Sequence, residues 1–282
     1  MLEKILFSNT IMPGETARLL LAFAGTAITA YYDIFNNRNV PEKLLYAFLV
    51  LAFTTNIAFY SEELFLFAIA TAAVIGLFGY VFYRAGQLGG ADVLVIVSIM
   101  LLLPVHPVSS ELPFNFPFIF SAMVFAGSAF AIYIIVFYGL KVLSSESKPR
   151  IAYLLLLVPY LIFAYVYYTS FLFQPVYFGF VTLLFTATVF FLVYKEDLNS
   201  MLSEKVPVQQ LEEEEVLALE QMDPEIIKKY ALVRLLTKHE IQRLKQSDLN
   251  EVAVFTKLPP FLPFLLFGMV AAVFFAKSLL FL

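Results

Sequence analysis

Gly86-Gln87-Leu88-Gly89-Gly90-Ala91-Asp92 is the stretch from which the chain is read. It separates two apolar runs and ends in an aspartate that opens the second of them. Its glycines leave the backbone free to turn tightly and to approach a neighbour closely. Val93 to Val105 follows without a single charge. A carboxylate at the lip of a membrane segment is costly to keep, so it asks for a function and for a partner.

Composition sets the medium. The chain has 282 residues, is 61% hydrophobic and only 14% charged, with a mean hydropathy of +0.84. Soluble domains are nearer half apolar and a quarter charged. This predicts an all-α polytopic membrane protein. With no Cys, disulfides, thiolate metal sites and cysteine nucleophiles are excluded. The two histidines, His106 and His239, are far apart in sequence, which argues against a His-based metal site. Trp is absent, so Tyr must supply most of any interfacial belt. Met1 to Glu15, broken by Pro13-Gly14, is too short for a cleaved signal peptide.

Working outward on the rule of about 20 apolar residues per span, eight transmembrane helices are expected: 16–35, 43–60, 62–83, 92–106, 116–140, 151–170, 173–194 and 258–281. The polar loop Pro107 to Asn115 falls outside the hydrocarbon. Residues 1–194 form the membrane core, including a hairpin at 151–194. Residues 195–257 hold 13 acidic and 9 basic residues and form a water-exposed insert. The last span lies in 258–282. The insert reads as helical, starting at Asp223-Pro224-Glu225, an N-cap with Pro at the first helical position. Its apolar positions run from Ile226 to Leu244, opposite a basic side of Lys228, Lys229, Arg234, Lys238, Arg243 and Lys245. Glu212 to Glu215 reads as an acidic first helical turn; an electrostatic landing site for a basic ligand is the minority reading.

Orientation follows from Lys and Arg. With the N-terminus outside, the inner segments carry Arg38, Lys43, Arg84, Lys141, Lys148, Arg150 and the nine of the insert, against Lys4, Arg18 and Lys277 outside. The insert is therefore expected in the cytoplasm.

Outside the insert the acids are Glu3, Glu15, Asp33, Glu42, Glu62, Glu63, Asp92, Glu111 and Glu146. Every Glu falls in the tail or the loops. The only two Asp end the first span and begin the fourth, both at the inner face. Nothing in their placement forces them to meet, but nothing else in the membrane part competes. Two carboxylates held close titrate as a coupled unit and share a proton. One can take a proton from an attacking water while the other donates a hydrogen bond to a peptide carbonyl. That is aspartic-protease chemistry, with no metal and no covalent intermediate.

At these residues the chain resembles a family. Asp33-Ile34-Phe35-Asn36-Asn37-Arg38-Asn39-Val40-Pro41 is similar to the first motif of the type IV prepilin and archaeal preflagellin peptidases, GxGD-type membrane aspartyl proteases. In that motif the catalytic Asp is followed by a basic residue and an Ile/Val-Pro turn. Gly89-Gly90-Ala91-Asp92 is similar to the second motif, Gly-x-Gly-Asp, with Ala91 in place of its second glycine. An Ala91 held at positive φ would carry strain. Val254 to Phe264 resembles the proline-rich entry to the last helix in archaeal members. The resemblance implies Asp33 and Asp92 as catalytic residues, with Arg38, Val40, Pro41, Gly89, Gly90 and Ala91 as motif support. It implies no cofactor, and substrates that are type IV pilin-like or archaellin precursors, cut at the cytoplasmic face of the cell membrane ahead of their hydrophobic helix. A basic leader would be drawn to Glu42 or Glu212 to Glu215. The hairpin 151–194 is an addition to six-helix members. The methyltransferase part of the large bacterial enzymes, with its cysteine cluster, has no counterpart here. No nucleic-acid partner is expected.

Two other classes fit less well. A proton-coupled transporter using Asp33 and Asp92 would need acids at both depths. A presenilin-like intramembrane protease shares Tyr32-Asp33 and a glycine-rich Asp motif, but not the Val40-Pro41 turn. Arg38 reads on its own as a positive-inside anchor, Asn56 as an interhelical hydrogen-bonding residue, and His106 as a satisfied helix-end residue.

Overall fold

The structure is a computed structural model and describes residues 11–36, 38–107, 117–144, 149–256 and 258–281. Eight helices lie where the eight spans are expected: α1 (Glu15–Phe35), α2 (Glu42–Ala58), α3 (Glu62–Arg84), α4 (Gly90–Leu102), α5 (Phe118–Leu143), α6 (Ile151–Tyr168), α7 (Pro175–Val193) and, after the insert, α11 (Leu262–Phe281). Of these, α3, α5, α6 and α7 are long and apolar enough to cross a membrane, while Gly90–Leu102 and Leu262–Phe275 are shorter apolar helices. The chain is a membrane protein. Most of the expected outer loop at Pro107 to Asn115 lies outside the described residues.

The apolar run after Asp92 makes the hub. Along α4, Val95, Ile96, Ile99, Met100, Leu101 and Leu102 are buried, against α1, α2 and α3. The stripe that α1 buries is Arg18, Ala22, Thr26, Thr29, Ala30 and Asp33. That is one helical face made of small and polar side chains. Between helices in lipid there is no hydrophobic drive, so close approach through small residues matters most. The α5–α11 pair uses the same device. A Cβ on Gly268 would fall 2.2 Å from the Ala122 carbonyl oxygen and 2.7 Å from the Ala126 nitrogen. Midway down, α5 contains a π turn, Ile134–Tyr138, that leaves Tyr138 buried.

The segment 195–256 lies across the end of the bundle that carries Asp33 and Asp92, and is called the roof below. It is less helical than expected. α8 (Lys195–Leu202) leads into β1 (Glu204–Pro207), which pairs antiparallel with β2 (Glu251–Val254) in the register Glu204↔Val254. The long amphipathic helix expected from Pro224 is two short ones, α9 (Pro224–Lys229) and α10 (Lys238–Lys245). Asp223 does cap α9, accepting from the Glu225 N–H at 2.9 Å. The helix then stops at Tyr230, and Ala231 takes φ 46°. The chain extends so that Leu235 bridges to Val216, and Thr237 and Glu240 form a new capping box. Glu212 to Glu215 is not a first helical turn either. It is a tight turn with Glu214 at φ 67°, leading into the extended residues that bridge to Leu235 and Val254. Extended pairing outcompetes helix here because it buries Leu217, Leu236, Val252 and Val254 in a core of the roof's own.

Candidate active site

Asp33 is 7% exposed at the end of the α1 stripe. Its Oδ2 accepts a hydrogen bond from the Leu262 N–H at 3.0 Å. The carboxylate therefore caps the N-terminus of α11, where unpaired N–H groups and the helix dipole favour an anion. Asp92 stands at the third position of α4, and its Oδ2 accepts from the Gly89 N–H at 3.2 Å. The two aspartates lie within electrostatic range of each other, and Arg38 within range of both. The partner sought for Asp92 is thus present at the same end of the bundle.

The glycines at 89 and 90 make room for two neighbours. A Cβ on Gly89 would crowd the Asp92 carboxylate itself, at 3.0 Å from Oδ2. One on Gly90 would sit 3.3 Å from Glu214 Oε2 and 3.3 Å from the Tyr83 ring. The close approach they permit is to the roof and to Asp92's own side chain. Ala91 is not at positive φ; it lies in the first turn of α4 and carries no strain.

Arg38 is tied into the fold through Thr256. Among the described residues only Arg38, Glu214 and Ala231 are non-glycines at positive φ, Arg38 at 64°. Such a conformation costs about 1–3 kcal/mol and persists only where the surroundings demand it. The turn swings the guanidinium inward, and Nη2 donates to the Thr256 carbonyl at 2.8 Å. Burial pushes its pKa below the usual value, while the fields of Asp33, Tyr138 and Asp92 oppose that shift. Val40 is buried, and Pro41 is the N-cap residue of α2. These two close the turn that carries Arg38.

The acidic run is engaged within the fold. Glu213 pairs with Lys238 at 3.0 Å, Glu214 accepts from the Tyr83 hydroxyl at 2.7 Å, and Glu215 accepts from the Glu212 N–H at 3.1 Å. Glu212, Glu213 and Glu214 nevertheless stay exposed. Among the described residues no three acidic or His side chains are grouped to hold a metal.

At the opposite end of the bundle, sequence reasoning missed Arg18. It is 2% exposed rather than an outer flanking charge. It donates to Pro13 O (2.8 Å), Asn56 Oδ1 (2.9 Å), Leu102 O (3.2 Å) and Phe59 O (3.3 Å). Asn56 also donates to the Leu101 carbonyl at 2.8 Å, the interhelical role expected of it. An Arg and an Asn in apolar runs were the available signal. His106 is buried and hydrogen-bonded through Nε2 to Ser121 at 2.8 Å, with its ring edge-on to Phe118.

Residues 20–140 match the model of the type IV leader peptidase family. That span holds both aspartates, Arg38, α2 to α4 and most of α1 and α5, and ends before the hairpin and the roof. No curated protein and no solved structure matches the chain.

Proposed function

We propose, from the match of residues 20–140 to the model of the type IV leader peptidase family, that the chain is a membrane aspartic endopeptidase whose catalytic pair is Asp33 and Asp92. The family implies peptidase activity and pilin-type precursors as substrates. The finer reading is removal of a short basic leader from prepilin-like or archaellin precursors, with no methyltransferase step. Eight spans and a cytoplasmic roof in the cell membrane complete it.

The observation that carries the reading is the convergence of Asp33 and Asp92. They come from the ends of α1 and α4, within electrostatic range of each other and of one guanidinium. One carboxyl, ionised, takes a proton from the water that attacks the scissile carbonyl. The other, protonated, donates to the carbonyl oxygen as charge develops there, then passes its proton to the leaving amine. Asp33 is held by the backbone at Leu262 and Phe261, and Asp92 by the Gly89 N–H. Both sit at one end of the bundle. The buried polar side chains of the other end include Arg18, Asn56 and His106, while its acids Glu15, Glu62 and Glu63 lie in the first turns of α1 and α3.

The test is processing in membranes. A pilin or archaellin precursor is co-expressed with wild type, Asp33→Asn or Asp92→Asn, and its size is followed. Loss of cleavage in both variants is expected. Cleavage retained in either would remove the pair.

A further inference from the structure

The roof's two flanks are held by different forces. On one flank Tyr138 and Val142 of α5 pack with Leu198 and Leu202 of α8 and with Ala218, Ala253 and Phe255, a buried apolar cluster. On the other flank the contacts to the Gly-rich motif are polar and thin. The Tyr83 hydroxyl donates to Glu214 in an exposed hydrogen bond. Arg234 and Val216 rest beside Gly86, and Glu214 rests beside Gly90. The residue that makes the hydrogen bond is itself at a strained φ of 67°. Between the flanks the roof has its own core, so it can move as a unit.

Access makes such movement necessary. Asp33 is almost wholly covered. Part of the cover is the backbone at Leu262, reached by the chain that leaves the roof through Phe255 and Thr256. Two apolar cavities, about 410 Å³ beside Pro149 and Phe190 and about 200 Å³ beside Phe130 and Leu202, are lined by neither aspartate. Asp33 is thus screened from a peptide bond of a protein substrate in this arrangement, while Asp92 is partly exposed.

We propose that segment 195–256 is a lid, hinged on the apolar α5–α8 flank and released at the Tyr83–Glu214 seam, through which the extended segment of the substrate enters. The proposal rests on the peptidase reading above. Opening the seam breaks one exposed hydrogen bond and relaxes one strained residue, whereas opening the other flank would expose Tyr138, Leu198 and Phe255. Movement of the α11 entry with the lid further breaks the Arg38–Thr256 and Asp33–Leu262 hydrogen bonds, which couples the lid's position to the cover over Asp33.

The absence of cysteine makes a clean experiment possible. Tyr83→Cys and Glu214→Cys are combined and joined by a short, reducible bis-methanethiosulfonate linker, in the full chain in detergent micelles. Lid opening that gates turnover predicts that linked enzyme processes a pilin-type precursor at least ~10-fold more slowly than the same sample after reduction. Each single variant treated with the reagent should stay within about 3-fold of wild type. Linked enzyme that keeps its full rate would overturn the lid. As a second measurement, Tyr83→Phe with Glu214→Gln unpins the seam without a linker. Faster proteolysis within 212–217, with processing retained, is expected. A fall of about 10-fold or more in kcat at constant KM would instead make the pair part of the catalytic machinery and overturn the proposal. Asp33→Asn and Asp92→Asn are run alongside. Processing by either refutes the peptidase pair; dead aspartate variants with active linked enzyme refute the lid alone.

Discussion

Asp33 has two jobs, and substitutions can separate them. Its Oδ2 caps α11 through Leu262, while the carboxyl as an acid or base does the chemistry proposed here. Asp33→Asn keeps an oxygen in the same place, so the Leu262 N–H stays satisfied. Asp33→Ala leaves that N–H with no acceptor in a buried site. Losing a cap costs about 1 kcal/mol, with a range of about 0.5–2, and losing an anion at a helix N-terminus adds roughly 0.3–1 kcal/mol. The Ala variant should therefore lose ~1–3 kcal/mol of stability. At about 2–4 °C per kcal/mol for a chain of this size or slightly smaller, thermal unfolding in micelles should fall by roughly 2–12 °C. The Asn variant keeps the hydrogen bond and loses only the charge, so its loss should not exceed ~1 kcal/mol. Processing should fall by at least ~10²–10⁴-fold in both, the usual contribution of a positioned acid or base. Two results would refute the reasoning. Equal stability of the Ala and Asn variants would mean that the cap contributes nothing. Processing by Asp33→Asn would mean that the carboxyl is not needed.

Further outcomes follow from other residues. Ala91→Gly restores the motif's usual glycine, but Ala91 is already helical, so the variant should lose ~0.5–1 kcal/mol with processing unchanged; a several-fold faster rate would reveal a need for glycine there. Gly268→Val drives a Cβ into the Ala122 carbonyl and the Ala126 nitrogen, backbone atoms that cannot swing aside; a loss of about 1–3 kcal/mol or failure to assemble is expected, read by size-exclusion profile and unfolding temperature. Arg18→Met pits two effects against each other. Removing a buried cation can stabilise by ~1–4 kcal/mol, but it orphans helix-end carbonyls where no water can replace the donors, each worth roughly 0.6–1.7 kcal/mol. With four acceptors within 3.3 Å, net destabilisation is expected, and a variant as stable as wild type would show that desolvation dominates.

The helices were legible because membrane spans are written in long apolar runs, and the helix-end positions of Asp33 and Asp92 stood out against a background without charge. What the periodicity hid was tertiary. The run Ile226 to Leu244 has helical spacing, yet it breaks at Tyr230 because pairing of Leu235 with Val216 buries more than a continuous surface helix would. The Thr237-x-x-Glu240 capping signature was present and marked the second start. Local sequence also cannot report that the acceptor of Arg38 lies at Thr256, 218 residues away. The glycines were read correctly as a place of close approach, but not whose approach it is.

The α4 helix is 13 residues long, about 20 Å, against a hydrocarbon slab of roughly 30 Å. Its far end does not reach water: Leu103, Val105 and His106 continue into protein, and the terminal carbonyls rest on Arg18 and Asn56. Arg18 and Asp33 share one stripe of α1, fifteen positions apart. One helix therefore works as a calliper for the other, gripping its foot while holding a carboxyl beside its head. Axial slippage between them is resisted from within the protein, and the mismatch in thickness is filled by side chains instead of by deformed lipid. The depth of the reacting centre is then a property of the chain and not of the bilayer. Turnover in vesicles of short and long acyl chains should differ little for wild type, and diverge once Arg18 is replaced.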